Sequence, residues 1–316
     1  MNAESSELAE FLDVVAEVLT RFVEPGRRVN PDRRAELVSA LADAGVLDLA
    51  TETADMTDAV AWLVGTVRTV AQHSPSVGYA LATRYVGQRA TGDESAIAVT
   101  AALVSPEAPR PIIPTMFPVD KAALVGVAEP TLSIAEVSPA TLTSVAVTGL
   151  ADAELRHLEP GEPSTVADSI RCRDALRDFA ILVSAVSLGI ADAASTASES
   201  YATQRRQFGA PIASFTGLRA ILATMRHRVA TVEALLDTAL NRGELAAALE
   251  LARTAGGSAL DVTLTGVQVH GGYGYIDEYP IASLVRDAVS VSSRNIPHRV
   301  AASMLAADRL GVVAAP

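Results

Sequence analysis

The chain has 316 residues, 49% of them apolar and 20% charged, the balance of a globular protein with a substantial core, which excludes a disordered tail. Its charges sum to 25 − 37 = −12, and no local basic patch offsets that field, so nucleic acid and anionic membrane surfaces are excluded as partners. A single cysteine, Cys172, excludes an internal disulfide and a multi-cysteine metal site, and a small buried side chain is expected there.

Met1 to Glu10 lacks the basic start and apolar run of a secretory signal, so a cytoplasmic location is expected. From Leu8 to about Gly92 apolar residues recur at helical spacing: Leu8, Phe11, Leu12, Val15, Val18 and Leu19 form one stripe, and Leu37, Leu41 and Val46 another. Asp58 to Arg68 and Pro75 to Arg89 read as two further helices, with Trp62 and Tyr79 packed inward. Residues 1–92 are therefore expected to form a helical N-terminal domain.

Between Asp93 and about Pro163 the pattern changes. Pro106, Pro109, Pro111, Pro114, Pro118, Pro130 and Pro139 punctuate short β-branched runs such as Ala122 to Val127 and Leu142 to Val147, which predicts short strands joined by turns. Residues 93–165 make a reduced β-domain, its acidic end from Asp152 to Glu162 reading as a solvated linker. Lys121, within this segment, is the one lysine among 25 Lys and Arg residues, a skew that fits a GC-rich coding bias.

Long helical patterns follow over Ile170 to Gln204, Gly217 to Asn241, Gly243 to Leu264 and Pro280 to Leu310, so residues 166–316 predict an antiparallel four-helix bundle. The most apolar stretch, Phe179 to Ala194, is interrupted by Ser184, Ser187 and Asp192 and falls short of the roughly 20 residues of a bilayer-spanning helix.

Two bundle connections carry unusual residues. In Tyr201 to Ile212, Arg205 and Arg206 close a helix and Phe208, Gly209 and Pro211 follow at once. Capping explains part of this, since cations favour a helix C-terminus and glycine suits the turn after it. A guanidinium fork beside an aromatic face can equally clamp a pyrophosphate. In Gln268 to Tyr275, Gly271, Gly272 and Gly274 let backbone amides approach an anion, and Gln268 offers both a donor and an acceptor. His270 reads as a structural histidine bonded to backbone, with no second histidine at metal spacing.

Together these segments resemble the acyl-CoA dehydrogenase family. The family's Arg-x-x-Phe-Gly-x-x-Ile stands as Arg205 to Ile212, and its Gln-x-x-Gly-Gly-x-Gly-(Tyr/Phe) as Gln268 to Tyr275. Its Glu-Tyr-Pro-(Val/Ile) and Arg-Asp-Ala stand as Glu278 to Ile281 and Arg286 to Ala288. The resemblance implies the family's fold, mainly α with a small β-domain, and FAD as cofactor. It also implies an acyl-CoA substrate, with an electron-transfer flavoprotein as a possible acceptor. Arg205, Phe208, Gln268, Gly271 and Gly272 match the positions with which family members hold a neighbouring subunit's FAD.

The positions serving a subunit's own chemistry have departed. The family's catalytic glutamate, nine residues after the arginine of Arg-Asp-Ala, falls on Asn295, and an amide cannot accept the proton. The alternative glutamate position falls on Phe179, with Asp178 next door as a weak alternative base, and the substrate-facing arginine aligns with Ala180. The glutamine expected after the Pro-Ile turn is Thr216, and Ala128-Glu129-Pro130 is a remnant at best of the middle-domain flavin motif.

That pattern resembles one subunit of a heteromeric pair of the shortened actinobacterial type, associated with sterol breakdown, in which a paralogous subunit supplies base and primary flavin pocket. Two alternatives are a homo-oligomeric FAD dehydrogenase using Asp178 and a non-enzymatic helical scaffold.

Overall fold

The computed structural model describes residues 3–24, 27–101, 110–127, 130–159 and 161–311. Pro106, Pro109 and the motif remnant at Ala128 and Glu129 lie outside the described residues. Helices α1 (Ala3–Thr20), α2 (Arg34–Asp43), α3 (Leu49–Glu52), α4 (Ala59–His73) and α5 (Pro75–Thr91) form the N-terminal unit. Ser74 caps α5, its Oγ accepting from Val77 N, with Pro75 following at the first helical position, where its missing N–H costs nothing. Gly92 ends that helix in the left-handed conformation. Tyr79 is buried as expected, and burial pushes its phenol up to about 12. Trp62 is only half-buried: it packs on Phe11 with ring centroids 5.6 Å apart and donates from Nε1 to Asp58.

Short strands follow: β1 (Ala96–Ala101), β2 (Ile112–Pro114), β3 (Lys121–Gly126), β4 (Leu132–Glu136), β5 (Leu142–Ser144), β6 (Leu155–Leu158) and β7 (Ser164–Thr165). They build two small sheets, β1-β3-β4-β7, with only β1 and β3 parallel, and the antiparallel β2-β6-β5. The acidic stretch expected to be a solvated linker is instead part of the packed structure. Its residues 155–158 are β6, and Asp152 is buried, accepting from Val29 N at 3.0 Å with Arg34 at 3.7 Å. Long-range partners from the N-terminal unit make that burial possible, and composition does not reveal them.

The C-terminal unit contains α6 (Ser169–Gln204), α7 (Thr216–Arg242), α8 (Leu245–His270), α9 (Ile281–Arg294) and α10 (His298–Leu310). The expected fourth helix is thus two. Pro297 has no N–H and disfavours helix in the residue before it, so the chain breaks at Asn295 to Pro297. Helix α8 runs past Leu264 to His270, with Gly266 at the close approach of Ile281 and Ser198. Helix α6 is 36 residues long and, contrary to expectation, apolar enough to cross a bilayer; 89% of its most apolar window is buried in the protein. It packs against α4, α5, α7, α8 and α9 as the central core helix, with Cys172, Phe179 and Ala180 buried along it.

Candidate functional site

The two glycine- and arginine-bearing connections meet at one end of the bundle. Helix α6 stops at Gln204, with the Arg205 N–H still bonded to Tyr201 O at 2.8 Å. The chain then turns through a hairpin of β8 (Arg206–Gln207) and β9 (Ala210–Pro211). Gly209, expected to close the helix, lies instead in this hairpin, where Phe208 and Gly209 take φ of 49° and 83°. Positive φ at both central residues is what the twist of a two-residue hairpin demands. A phenylalanine there is held in a region that L side chains avoid, and its ring is 94% exposed, touching Phe215 edge-on at 6.3 Å.

From the other side, α8 ends at His270 and a short 3-10 turn, Gly271–Tyr275, follows. The Tyr201 ring stacks on His270 with centroids 4.3 Å apart and donates from its hydroxyl to His270 O. Tyr279 closes on both rings edge-on at 5.6 Å. His270 is structural, as its sequence context suggests: its Nδ1 lies 2.8 Å from Gly266 O, and burial lowers its pKa, favouring the neutral imidazole. Tyr273, also packed on Tyr279, carries the Arg205 guanidinium over its face at 5.4 Å.

This frame leaves particular groups unused. Arg205 and Gln268 are exposed, and among the described residues neither side chain has a hydrogen-bond or ion-pair partner beyond the Arg205–Tyr273 contact. Gly271 has φ +60°, and no atom stands within 4 Å of a Cβ built on it or on Gly272. By contrast, a Cβ on Gly274 would meet Val267 O at 2.8 Å, so that glycine serves packing. Arg27 reaches across from the N-terminal unit to the carbonyls of Asp277 and Glu278 and pins the chain leaving the turn. The resulting surface offers a cation, an amide and open backbone, the donor set for a diphosphate and a heterocycle edge.

The inward positions differ. Asn295 caps α9 and is 3% exposed; its Oδ1 accepts from Ile296 N at 2.7 Å, and Nδ2 is buried without a hydrogen-bond partner. Asp178 is buried with both oxygens engaged, Oδ2 by Arg89 Nε at 2.8 Å and Oδ1 by Arg177 at 2.9 and 3.1 Å. Phe179 is fully buried and Thr216 exposed at the start of α7.

Residues 172–292 match the family model described as acyl-CoA dehydrogenase, C-terminal domain. Over those residues the chain is similar to the C-terminal domain of the acyl-CoA dehydrogenases. An acyl-CoA dehydrogenase of Bacillus subtilis is 40% identical over 113 residues, 34% of this chain, and the chain covers 29% of that relative's length. In fold the likeness extends over the whole molecule. The butyryl-CoA dehydrogenase of Megasphaera elsdenii superposes with a TM-score of 0.76 at 18% identity, over 96% of this chain and 98% of that one. The Tcur3481-Tcur3483 steroid ACAD does so with a TM-score of 0.73 at 19% identity, over 97% and 98%.

FAD is the cofactor of this family, and its fit here is one-sided. The outward turn, with unpartnered Arg205 and Gln268 beside open glycines, suits the diphosphate half of such a group. The inward positions supply an amide, a buried phenyl ring and a carboxylate held by two arginines, none of which suits proton abstraction.

Proposed function

We propose that this chain is the accessory subunit of a heteromeric, FAD-dependent acyl-CoA dehydrogenase, completing the flavin site of a paralogous catalytic subunit. The observation that carries the proposal is the contrast just described: unpartnered, exposed Arg205 and Gln268 against the amide of Asn295 and the doubly paired Asp178. FAD, when bound, supplies the acceptor for the hydride lost from the carbon β to the thioester. Arg205 donates to its diphosphate, and the Tyr273 ring beneath holds the guanidinium plane at a low entropic cost. Gly271 and Gly272 bring backbone N–H groups close where a side chain would stand. Gln268 reads a ring edge with its amide, and Phe208, presented by its hairpin, covers an apolar face. The α-proton goes to a carboxylate of the partner.

One structural neighbour, the Tcur3481-Tcur3483 steroid ACAD, supports a two-subunit arrangement and a sterol-derived acyl group. A homo-oligomer using Asp178 would have to break two arginine contacts before that carboxylate could act. The test is purification of this chain alone and co-expressed with a paralogous acyl-CoA dehydrogenase subunit. Stoichiometric flavin and acyl-CoA turnover in the pair only is the expected result, and a yellow, active single chain overturns the proposal.

A further inference from the structure

Lys121 is the one lysine in a sequence with 25 Lys and Arg residues. Guanidinium groups stay protonated in proteins and do not act as amine nucleophiles. The sequence therefore contains a single side-chain amine. It stands at the first residue of β3, opposite Ala96 of β1 and Glu136 of β4. Nζ donates to Asp93 Oδ2 at 2.7 Å, and the lysine side chain is 38% exposed. Asp93 is itself fixed from behind: its Oδ1 accepts from Ser95 N at 2.9 Å and Ser95 Oγ at 2.8 Å, and its N–H is bonded to Thr91 Oγ1 at 3.1 Å. The counter-ion is thus held in place before the ammonium arrives. Glu136 and Asp120 add their negative charges around the same Nζ.

We infer that Lys121 is the chain's one side-chain amine acceptor for acyl groups, and that Asp93, Glu136 and Asp120 mask it from acyl thioesters. Acylation requires the ammonium to lose a proton to solvent. The neutral nitrogen then attacks the thioester carbonyl, the C–N bond forms, the C–S bond breaks, and the thiolate leaves and is protonated, giving N-acyl-lysine and free thiol. Three carboxylates oppose the first step by favouring the charged amine, and they repel a polyanionic donor such as a coenzyme A thioester in the second. The Asp93 hydrogen bond holds the Lys121 ammonium above the usual lysine value and the Asp93 carboxyl down to about 2, so the pair persists across the working pH range. An amide at Lys121 would remove the cation and leave Asp93 without its counter-ion where α5 hands over to β1. The inference stands independently of the flavin reading, because it concerns an amine outside the bundle-end surface.

Selective 15N labelling of lysine gives this chain one side-chain resonance, which titrates the amine in the intact protein without any substitution. The expected midpoint lies above that of a free lysine side chain, and a midpoint at or below it overturns the inference. In parallel, the full chain and its Asp93→Asn variant are incubated with acetyl-CoA at pH 8, and Lys121 occupancy is read by peptide mass spectrometry. Circular dichroism reports whether the variant is folded. Asn retains an oxygen for Ser95 but not the charge, so more of the Lys121 amine is neutral at pH 8 and a folded variant should be acylated faster than the parent. Equal rates in the folded variant and the parent also overturn it.

Discussion

The bundle end and the bundle interior of this molecule carry the same family pattern to opposite outcomes. At the end, Arg205 and Gln268 are exposed with their polar groups uncommitted, around glycines that keep the backbone open. In the interior, Asn295 stands where a glutamate is expected, and Asp178 is spent on Arg89 and Arg177. Arg205 and Gln268 are available to something outside the chain, while Asp178, paired to two arginines, serves the fold. Random loss of function would erode both sets alike. The proposed division of labour between subunits accounts for the difference, and each prediction below is a way to break it.

The largest effect concerns turnover. The purified chain alone should process acyl-CoA at least 10²–10⁴-fold more slowly than a dehydrogenase with a positioned base. Rapid turnover by the single chain in a flavin-supplemented assay would place the chemistry in the interior after all. Next in size is the Asp178 cluster. Asp178→Ala leaves the part-buried Arg89 without its carboxylate while Arg177 keeps Asp174, so the cost should fall at or below the roughly 3 kcal/mol of breaking a buried pair. Urea unfolding should register that loss while flavin binding in the complex stays unchanged. An active-site role for Asp178 predicts the reverse, a stable protein with lost turnover.

A smaller, pH-dependent effect belongs to the junction of the three units. Asp287 on α9 accepts from Leu150 N at 2.6 Å and is pushed up to about 6, chiefly by burial and then by Asp152. Its proton is held more tightly in the folded state than in the unfolded one. Stability therefore falls as pH rises from about 4 to about 6, by at most about 3 kcal/mol, and then levels off. Asp287→Asn, which keeps the acceptor for Leu150, should flatten that profile in denaturant titrations from pH 4 to 8. A slope that survives the substitution assigns the titration to another group.

Much of this contrast was legible before the fold. Glycine, proline and arginine carry local backbone and charge requirements, so the two bundle connections stood out by residue type alone. The change from helical to β periodicity near Asp93 likewise belongs to local sequence. What escaped was set by distant contacts. Asp152 looks solvated in its acidic stretch and is buried because Val29 N and Arg34 reach it across more than a hundred residues. The Tyr201, His270 and Tyr279 cluster, which seats Arg205 over Tyr273, joins segments about 70 apart in sequence and has no local signature. Gly209 suited a helix stop equally well, and only strand pairing assigns it to a hairpin.

The most direct test of the account is the FAD dissociation constant of the co-expressed complex, measured for the parent and for Arg205→Ala alongside the melting temperature. Charge-assisted hydrogen bonds to a diphosphate are worth roughly 1.5–3 kcal/mol, so the substitution should weaken FAD binding about 10- to 150-fold. Melting with FAD removed should change little. If Arg205 merely caps α6, the complex melts lower by about 1 kcal/mol of stability yet holds FAD as tightly as the parent, and the division of labour between the subunits is contradicted.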